Sequence, residues 1–210
     1  MMLDVPFYEN DGDGNQCLQV AGKCIIKYFL GKEYSLEDLD KLTGRKRNHW
    51  TYTPQIASVL YDVGLRIKFY SKEDLEPFLD GEKFYREHYG KDADKILEFT
   101  DIQVVTKSIE KLLDYNIFEK KKISISSLEK YIESGSVPLV LIDNNKIVGR
   151  EDSYRGHAVV ITGFDDKHIY YHDSGPSNPT PNKKVDKKLF VNAMNANGTD
   201  NDCIVVSGKR

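Results

Sequence analysis

The spacing of apolar residues changes near Gly135, and this change limits the folds that the chain can adopt. Before that glycine, most apolar residues recur at three- and four-residue steps, which is typical of amphipathic helices. After it come short apolar runs of strand length, at residues 137–142, 157–164 and 203–206. Helices that precede antiparallel strands predict a protein of the α+β class.

The N-terminal part of the chain carries three helix signals. Apolar residues recur on one side of residues 17–29, and Gly31 can end that helix. Ser35 and Asp38 form a capping box for a second helix, and Thr53, followed by proline, caps a third. The leucines of the second helix that we expect to face inward are Leu36, Leu39 and Leu42.

The remaining segments are assigned from the same kinds of pattern. Residues 65–70 alternate between apolar and charged side chains, which predicts a strand with one face in water. Residues 71–135 are charged and helical in period, and we interpret them as a helical insertion or subdomain within a single domain that spans 1–210. Residues 174–182 contain three prolines and are expected to form a loop.

Composition argues against two classes of partner. The 210 residues carry a net charge of -3, so no basic excess exists to neutralise nucleic-acid phosphates, and we expect the short basic run 45–47 to be solvated. The N-terminus has no signal-peptide pattern, and the apolar runs are too short to span a bilayer. We therefore expect a cytoplasmic protein without nucleic-acid or membrane partners, and we assign no oligomeric state.

The three cysteines, Cys17, Cys24 and Cys203, are expected to be free thiols. The first two fall on one predicted helix, about 10 Å apart along its axis, whereas a disulfide needs Cα atoms within about 7 Å of each other. An odd number of cysteines without a disulfide framework fits a reducing compartment.

Cys17 is a candidate nucleophile because of its place on the first helix. A polar, glycine-bearing loop at residues 10–15 leads directly into that helix, so the cysteine falls in the first turn. Unpaired N–H groups and the helix dipole favour an anion there, which lowers the pKa of a thiol. A small buried residue is the alternative interpretation of this cysteine.

His157 and Asp173 are candidate partners for such a thiol. His157 begins one predicted strand, and Asp173 ends the strand that returns as its hairpin partner. An antiparallel pair brings these positions close together, where a carboxylate can orient an imidazole that acts as a base. Taken singly, the histidine could be a packed strand residue and the aspartate a strand-end carboxylate.

No metal or cofactor site is predicted. His168 and His172 share a strand face, but four strand residues separate them by about 13 Å, which is too far to share an ion. His49, Trp50 and Tyr52 lie in a polar loop and could line a substrate cleft or cover the edge of the core.

The two ends of the chain together resemble the papain-like cysteine peptidases. The opening has Val-Pro-Phe-Tyr at residues 5–8, a short polar loop, and then Gln16 and Cys17 at the start of a helix. The close has Gly-His-Ala-Val-Val-Ile-Thr-Gly-Phe at residues 156–164, a turn, and Tyr-Tyr-His-Asp at residues 170–173. Within the superfamily, the chain looks most similar to the bacteriocin-processing double-glycine peptidases and their stand-alone homologues.

The resemblance implies a papain-like fold and a peptide or protein substrate. Its N-terminal helical part would carry Cys17 as the nucleophile, and its C-terminal antiparallel sheet would carry His157 as general base and acid. Asp173 would orient the histidine, and no cofactor would be needed.

The sequence departs from the family at the oxyanion hole. Asp11 stands where the family has a glutamine, and an ionised carboxylate cannot donate a hydrogen bond. Asn10 and Gln16 are the alternative side-chain donors, and the backbone N–H of Cys17 would be the second donor.

We therefore expect a cysteine peptidase, that is, a thiol-dependent amide-bond hydrolase. A papain-like binding or regulatory module with vestigial catalytic residues is one alternative, since the oxyanion position is altered. An acyl transferase that uses the same three residues is another.

Overall fold

Seven strands form one sheet in the computed structural model, which describes residues 1–151 and 153–210. The strands are β1 (Leu65–Ser71), β2 (Phe118–Lys120), β3 (Val137–Asp143), β4 (Gly156–Phe164), β5 (His168–Asp173), β6 (Thr180–Asp186) and β7 (Cys203–Lys209). Their order across the sheet is β2-β1-β7-β3-β4-β5-β6, and all neighbours are antiparallel except β1 and β2, which are parallel.

Helices precede, interrupt and follow these strands. The α-helices are α1 (Cys17–Leu30), α2 (Leu36–Thr43), α3 (Thr53–Asp62), α4 (Glu82–Tyr89), α5 (Ala93–Glu98), α6 (Ile102–Asp114), α7 (Ile125–Glu133), α8 (Asn144–Ile147) and α9 (Lys187–Met194). The α+β class predicted from the sequence is confirmed, with the cysteine helix at the N-terminus and the histidine and aspartate on the later strands. None of the helices described is long and apolar enough to cross a membrane.

The last strand lies in the middle of the sheet. β7 pairs with β1 on one side, where Val206 is opposite Ile67, and with β3 on the other, where Ile204 is opposite Leu139. The sequence predicts this strand but not its position. Because β1 belongs to the helical part and β3 begins the strand-rich part, β7 joins the two parts into one sheet.

Each face of the sheet is covered, and β4 shows why its apolar run is continuous. Ala158 and Val160 point into a core with α1 and α3, whereas Val159 and Ile161 point into a second core with α7 and α9. All four side chains are almost fully buried. A strand that is covered on both faces needs apolar residues at every position, as the sequence predicts.

The second helix begins as predicted, but the prediction that Leu42 faces the core is wrong. Ser35 accepts a hydrogen bond from the Asp38 N–H, and the Asp38 carboxylate accepts one from the Ser35 N–H. Leu39 is fully buried, whereas Leu42 is 48% exposed. Four residues beyond Leu39, one helical turn further, Thr43 takes the inward position instead, and its hydroxyl donates to the Leu39 carbonyl.

The third helix begins one residue earlier than predicted. Thr53 is the first helical residue, and Tyr52 occupies the capping position. The Gln55 side-chain oxygen accepts a hydrogen bond from the Tyr52 N–H at 2.7 Å, which satisfies a donor that the helix itself cannot pair.

Residues 71–135 contain helices α4 to α7, as the sequence predicts, and also the short strand β2. That strand extends the sheet beside β1, with Phe118 opposite Phe69. The interpretation of this segment as an insertion into a single domain stays a prediction.

The expected loop at residues 174–182 is shorter than predicted, because β6 begins at Thr180. This strand carries Pro181 and lies at the sheet edge, where it pairs only with β5. Proline is tolerated at an edge because the missing N–H removes no ladder bond on the solvent side.

We expect Leu39→Ala to destabilise the protein by about 2–5 kcal/mol, since it leaves a cavity in the core. The matched variant Leu42→Ala, on the same helix, should change the free energy of unfolding by less than about 0.5 kcal/mol. Urea denaturation of both variants measures the difference, and equal losses would contradict the burial described for α2.

Candidate active site

Cys17 is the first residue of α1, and its thiol lies against backbone donors. Gln16 occupies the capping position but makes no side-chain cap, so the first N–H groups of the helix have no such partner. The backbone N–H groups of Leu18 and Ala158 lie near the thiol and lower its pKa. The residue is partly exposed.

His157 and Asp173 meet across the β4–β5 hairpin. Val160 is opposite His172 in the pairing, which sets Asp173 diagonally across from His157 on the same face. The imidazole Nε2 and the carboxylate Oδ1 are 2.9 Å apart, and both side chains are largely buried. The imidazole also lies near enough to the thiol of Cys17 that each group shifts the pKa of the other, and Nδ1 is the ring nitrogen that remains to face the thiol.

The side chains of Cys17, His157 and Asp173 shift one another's pKa values toward their charged forms. Burial opposes ionisation of Cys17, but the hydrogen bond and charge of His157 and the two N–H donors outweigh it, so the thiol pKa is lowered. Burial also opposes protonation of His157, but Asp173 and Cys17 raise the imidazole pKa to about 9. The arrangement therefore favours a thiolate beside an imidazolium over a neutral thiol beside a neutral imidazole.

Asp173 has further partners that sequence reasoning did not identify. Its Oδ2 accepts a hydrogen bond from Nζ of Lys183 at 2.8 Å, and its Oδ1 accepts a second one from the Gly175 N–H at 3.2 Å. Burial of the carboxyl is outweighed by His157 and Lys183, which hold the Asp173 pKa well below its usual range. Lys183 becomes recognisable as a partner only when β6 is paired with β5.

The two candidate oxyanion donors differ in what they already bind. The amide nitrogen of Gln16 donates to Asp40 Oδ2 at 2.8 Å, and its oxygen accepts the Asp13 N–H at 3.2 Å. Asn10 is 7% exposed, and neither polar atom of its side chain has a hydrogen-bond partner among the described residues. Its backbone N–H donates to the Ser174 carbonyl at 2.9 Å, which holds it next to the end of β5. Asn10 therefore has an unused amide donor near the site.

The loop before Cys17 is held by a buried arginine. The side chain of Arg45 is 1% exposed and forms ion pairs with Asp13 and with Asp40, the second at 2.9 Å. The expectation that this residue is solvated is wrong, because two carboxylates compensate its charge and allow it to be buried. Since Gln16 binds the same Asp40, the loop, α2 and the start of α1 are tied together.

The aromatic residues of the polar loop pack on the helical segment. Trp50 stacks on Phe99 with ring centroids 5.2 Å apart, and the Tyr52 hydroxyl is 2.7 Å from that of Thr100. These contacts agree with the interpretation that they cover the edge of the core.

The two histidines of β5, His168 and His172, are engaged separately. His168 Nδ1 lies 2.9 Å from an Asp165 oxygen, and His172 Nε2 lies 2.8 Å from the Val5 carbonyl. Within residues 1–151 and 153–210, no group of three or more His, Cys, Asp or Glu is placed to hold a metal ion.

A sequence profile for a protein family described as guanylylate cyclase matches residues 17–206. The matched range includes Cys17, His157 and Asp173. No curated protein matches the chain.

Solved structures of peptidase domains share the fold. The peptidase domain of Streptococcus ComA, a bifunctional ABC transporter involved in quorum sensing, has a TM-score of 0.51 and 13% identity, over 98% of this chain and 99% of that one. A double-glycine motif protease from an AMS/PCAT transporter, in complex with the leader peptide, has a TM-score of 0.51 and 15% identity, over 98% and 93%. A C39-like peptidase, so described, from Bacillus anthracis has a TM-score of 0.55 and 12% identity, over 99% and 96%. The predicted papain-like peptidase fold is therefore confirmed.

We expect Cys17 to be alkylated by iodoacetamide in mild acid, at about pH 6, where a thiol of ordinary pKa is almost fully protonated. A lowered pKa keeps the thiolate present until the pH falls through that lowered value. Burial raises the pKa of Cys24 to about 12 and that of Cys203 further still, so both should stay unlabelled. Mass spectrometry of the alkylated peptides gives the three rates.

His157→Ala should remove the labelling of Cys17 in mild acid, whereas His168→Ala is the matched control and should retain it. If wild-type Cys17 reacts no faster than the other two cysteines at about pH 6, the thiolate–imidazolium pair does not form.

Proposed function

We propose that this chain, which belongs to the family described as guanylylate cyclase, is a thiol-dependent amide-bond hydrolase, that is, a cysteine peptidase. One observation carries the proposal. A thiol at the start of α1 lies near an imidazole that lowers the thiol pKa, and that imidazole is hydrogen-bonded to a buried carboxylate. That arrangement supplies a nucleophile, a base and an orienting group in contact with one another.

In the first step, the Cys17 thiolate attacks the carbonyl carbon of the substrate, and a C–S bond forms. The carbonyl oxygen becomes an oxyanion. When the C–N bond breaks, the His157 imidazolium donates its proton to the leaving amine, and an acyl-enzyme remains. Asp173 keeps the ring in the orientation that directs this proton.

The oxyanion needs donors that point at it before it forms. The backbone N–H of Cys17 begins α1, so no helical carbonyl precedes it as a partner. We assign the second donor to Asn10 rather than Gln16, because the Gln16 amide already donates to Asp40 while the Asn10 amide has no described partner.

In the second step, His157 accepts a proton from water, and the resulting hydroxide attacks the acyl carbon. The C–S bond breaks, and the product leaves as a carboxylic acid. We propose a peptide or protein as the substrate, and one solved neighbour in complex with a leader peptide supports this class. A cytoplasmic, reducing location would keep the thiol available.

The family description provides a second candidate function, a guanylylate cyclase. Phosphoryl chemistry that uses two metal ions needs clustered ligands. In the part of the chain that the structure describes, His, Cys, Asp and Glu form no such cluster. We therefore derive no metal-dependent step. Incubation with GTP and Mg²⁺ or Mn²⁺, followed by detection of cyclic GMP, tests this candidate. If Cys17→Ala also makes cyclic GMP, the cyclase reaction does not use the Cys17 thiol.

We expect Cys17→Ala to abolish hydrolysis of a peptide library, because no other described nucleophile contacts His157 in this way. New peptide termini, identified by mass spectrometry, give the rate. Cys24→Ala, on the same helix but buried in the core, is the matched control and should retain activity. Activity that survives in Cys17→Ala would overturn the assignment.

The product also separates the related alternatives. Release of a free acid indicates hydrolysis, whereas an adduct with an added amine indicates an acyl transferase. A reactive Cys17 without turnover of any peptide would favour the binding or regulatory module.

Loss of the Asn10 amide should lower kcat by about 100- to 1,000-fold, with a smaller effect on KM, since the oxyanion exists only during the reaction. Asn10→Ala tests this value in the peptide assay, and Gln16→Ala is its control. An equal or larger loss of kcat in Gln16→Ala, with the fold intact by circular dichroism, would reassign the donor.

A further inference from the structure

Asp173 binds His157 through one carboxylate oxygen and Lys183 through the other. The first distance is 2.9 Å and the second is 2.8 Å. We propose that Lys183 is a positioning residue that offsets part of the charge of Asp173, so that the carboxylate orients His157 but binds the imidazolium proton less tightly than it would alone. This inference rests on the proposed function, because it assigns a role within the same site.

The sheet directs Lys183 at the carboxylate. Lys183 on β6 is directly opposite Tyr171 on β5, and residues that are opposite each other share a face. Asp173 is two residues further along β5 and therefore lies on that face as well. The lysine Nζ lies 5.9 Å from the centre of the Tyr171 ring, which holds the side chain over the strand.

Lys184, the next residue along β6, forms an exposed ion pair that can be compared with the Lys183–Asp173 pair. Lys184 lies on the opposite face, where its Nζ is 3.9 Å from Asp165, with side-chain exposures of 53% and 42%. The side chains of Lys183 and Asp173 are 25% and 10% exposed. Water and salt screen the first pair strongly and the second pair much less, so only the second can act on a neighbouring charge.

An uncompensated carboxylate beside His157 would hinder catalysis. It would bind the imidazolium proton too tightly, and a general acid whose pKa lies far above the working pH donates its proton slowly. A neutral acceptor would orient the ring without that cost. The Asp173–Lys183 pair offers an oxygen acceptor to Nε2 while the net charge of the two side chains is zero.

Few other groups face the pair in the part of the chain that the structure describes. Lys183 from β6 acts on Asp173, which in turn faces Tyr171 from β5, and Tyr154 from the loop before β4 faces Cys17. The buried Asp143, at the end of β3, is opposite Gly156 and also faces Tyr154. Burial raises the pKa of the Tyr171 hydroxyl, which therefore stays neutral. Lys183 is thus the cation that can balance Asp173.

The proposal gives each variant a direction. Loss of the Lys183 charge makes every proton harder to remove, so Lys183→Met should move the acid inflection of Cys17 alkylation upward by about one pH unit. Asp173→Asn removes a negative charge and should move it downward. The double variant removes both charges and should return the inflection close to the wild-type value.

The experiment records the alkylation rate of Cys17 against pH in the full-length protein, with iodoacetamide as the probe. Lys183→Arg keeps the charge and should retain the wild-type profile. Lys184→Met removes the same charge on the opposite face and should shift the inflection by less than about 0.2 pH unit. Thermal unfolding of each variant shows that it is folded.

Two results would overturn the inference. The first is that Lys183→Met shifts the acid inflection of Cys17 alkylation no more than Lys184→Met does. The second is that the double variant keeps the full shift of Asp173→Asn. A purely structural role of Lys183 would lower the melting temperature without moving the inflection. Failure of the proposed function looks different, because the wild-type protein would then hydrolyse no peptide, whereas the alkylation profiles of the variants are recorded without turnover.

Discussion

The pairing of β7 with both β1 and β3 is the interaction on which the other parts of the structure depend. These three strands come from distant parts of the chain, and each of the two ladders is antiparallel. Without β7, the strand that follows α3 and the strands that carry His157 and Asp173 would form separate sheets. Because the sheet is continuous, α1 can pack on β4 and present Cys17 to the imidazole.

Buried charge is the second organising feature, and two groups of buried charges near the site are compensated by ion pairs. Arg45 is paired with Asp13 and Asp40 beneath the loop that leads into α1. Asp173 is paired with His157 and Lys183 at the other side of the site. A buried charge without a partner would cost several kcal/mol, so both groups restrict how their elements can be arranged. One group lies at the loop before Cys17 and the other lies beside His157.

The comparisons separate fold from activity. The fold is that of double-glycine peptidase domains, but identities of 12–15% carry no statement about chemistry. The family description names a cyclase, whereas the site geometry brings together a thiol, an imidazole and a carboxylate. A fold can host unrelated functions, so the side chains at the site provide the stronger argument about the reaction.

Local sequence patterns determined most of the elements of this protein. The capping box of α2, the helix start at Cys17 and the continuous apolar run of β4 each depend on residues close together in the chain, and each was predictable. The same holds for the hairpin that brings His157 to Asp173, because turn residues and strand patterns are local signals.

Only the tertiary structure decided which distant groups meet. Arg45 is buried because Asp13, 32 residues away, pairs with it, and the Gln16 amide is occupied because Asp40, 24 residues away, accepts its hydrogen bond. Lys183 reaches Asp173 from the edge strand β6. Because the start of this strand contains a proline, the sequence predicts a loop there. Each of these contacts forms between residues that only folding brings together. A pattern read over a short stretch of sequence therefore does not include both residues of any of these pairs.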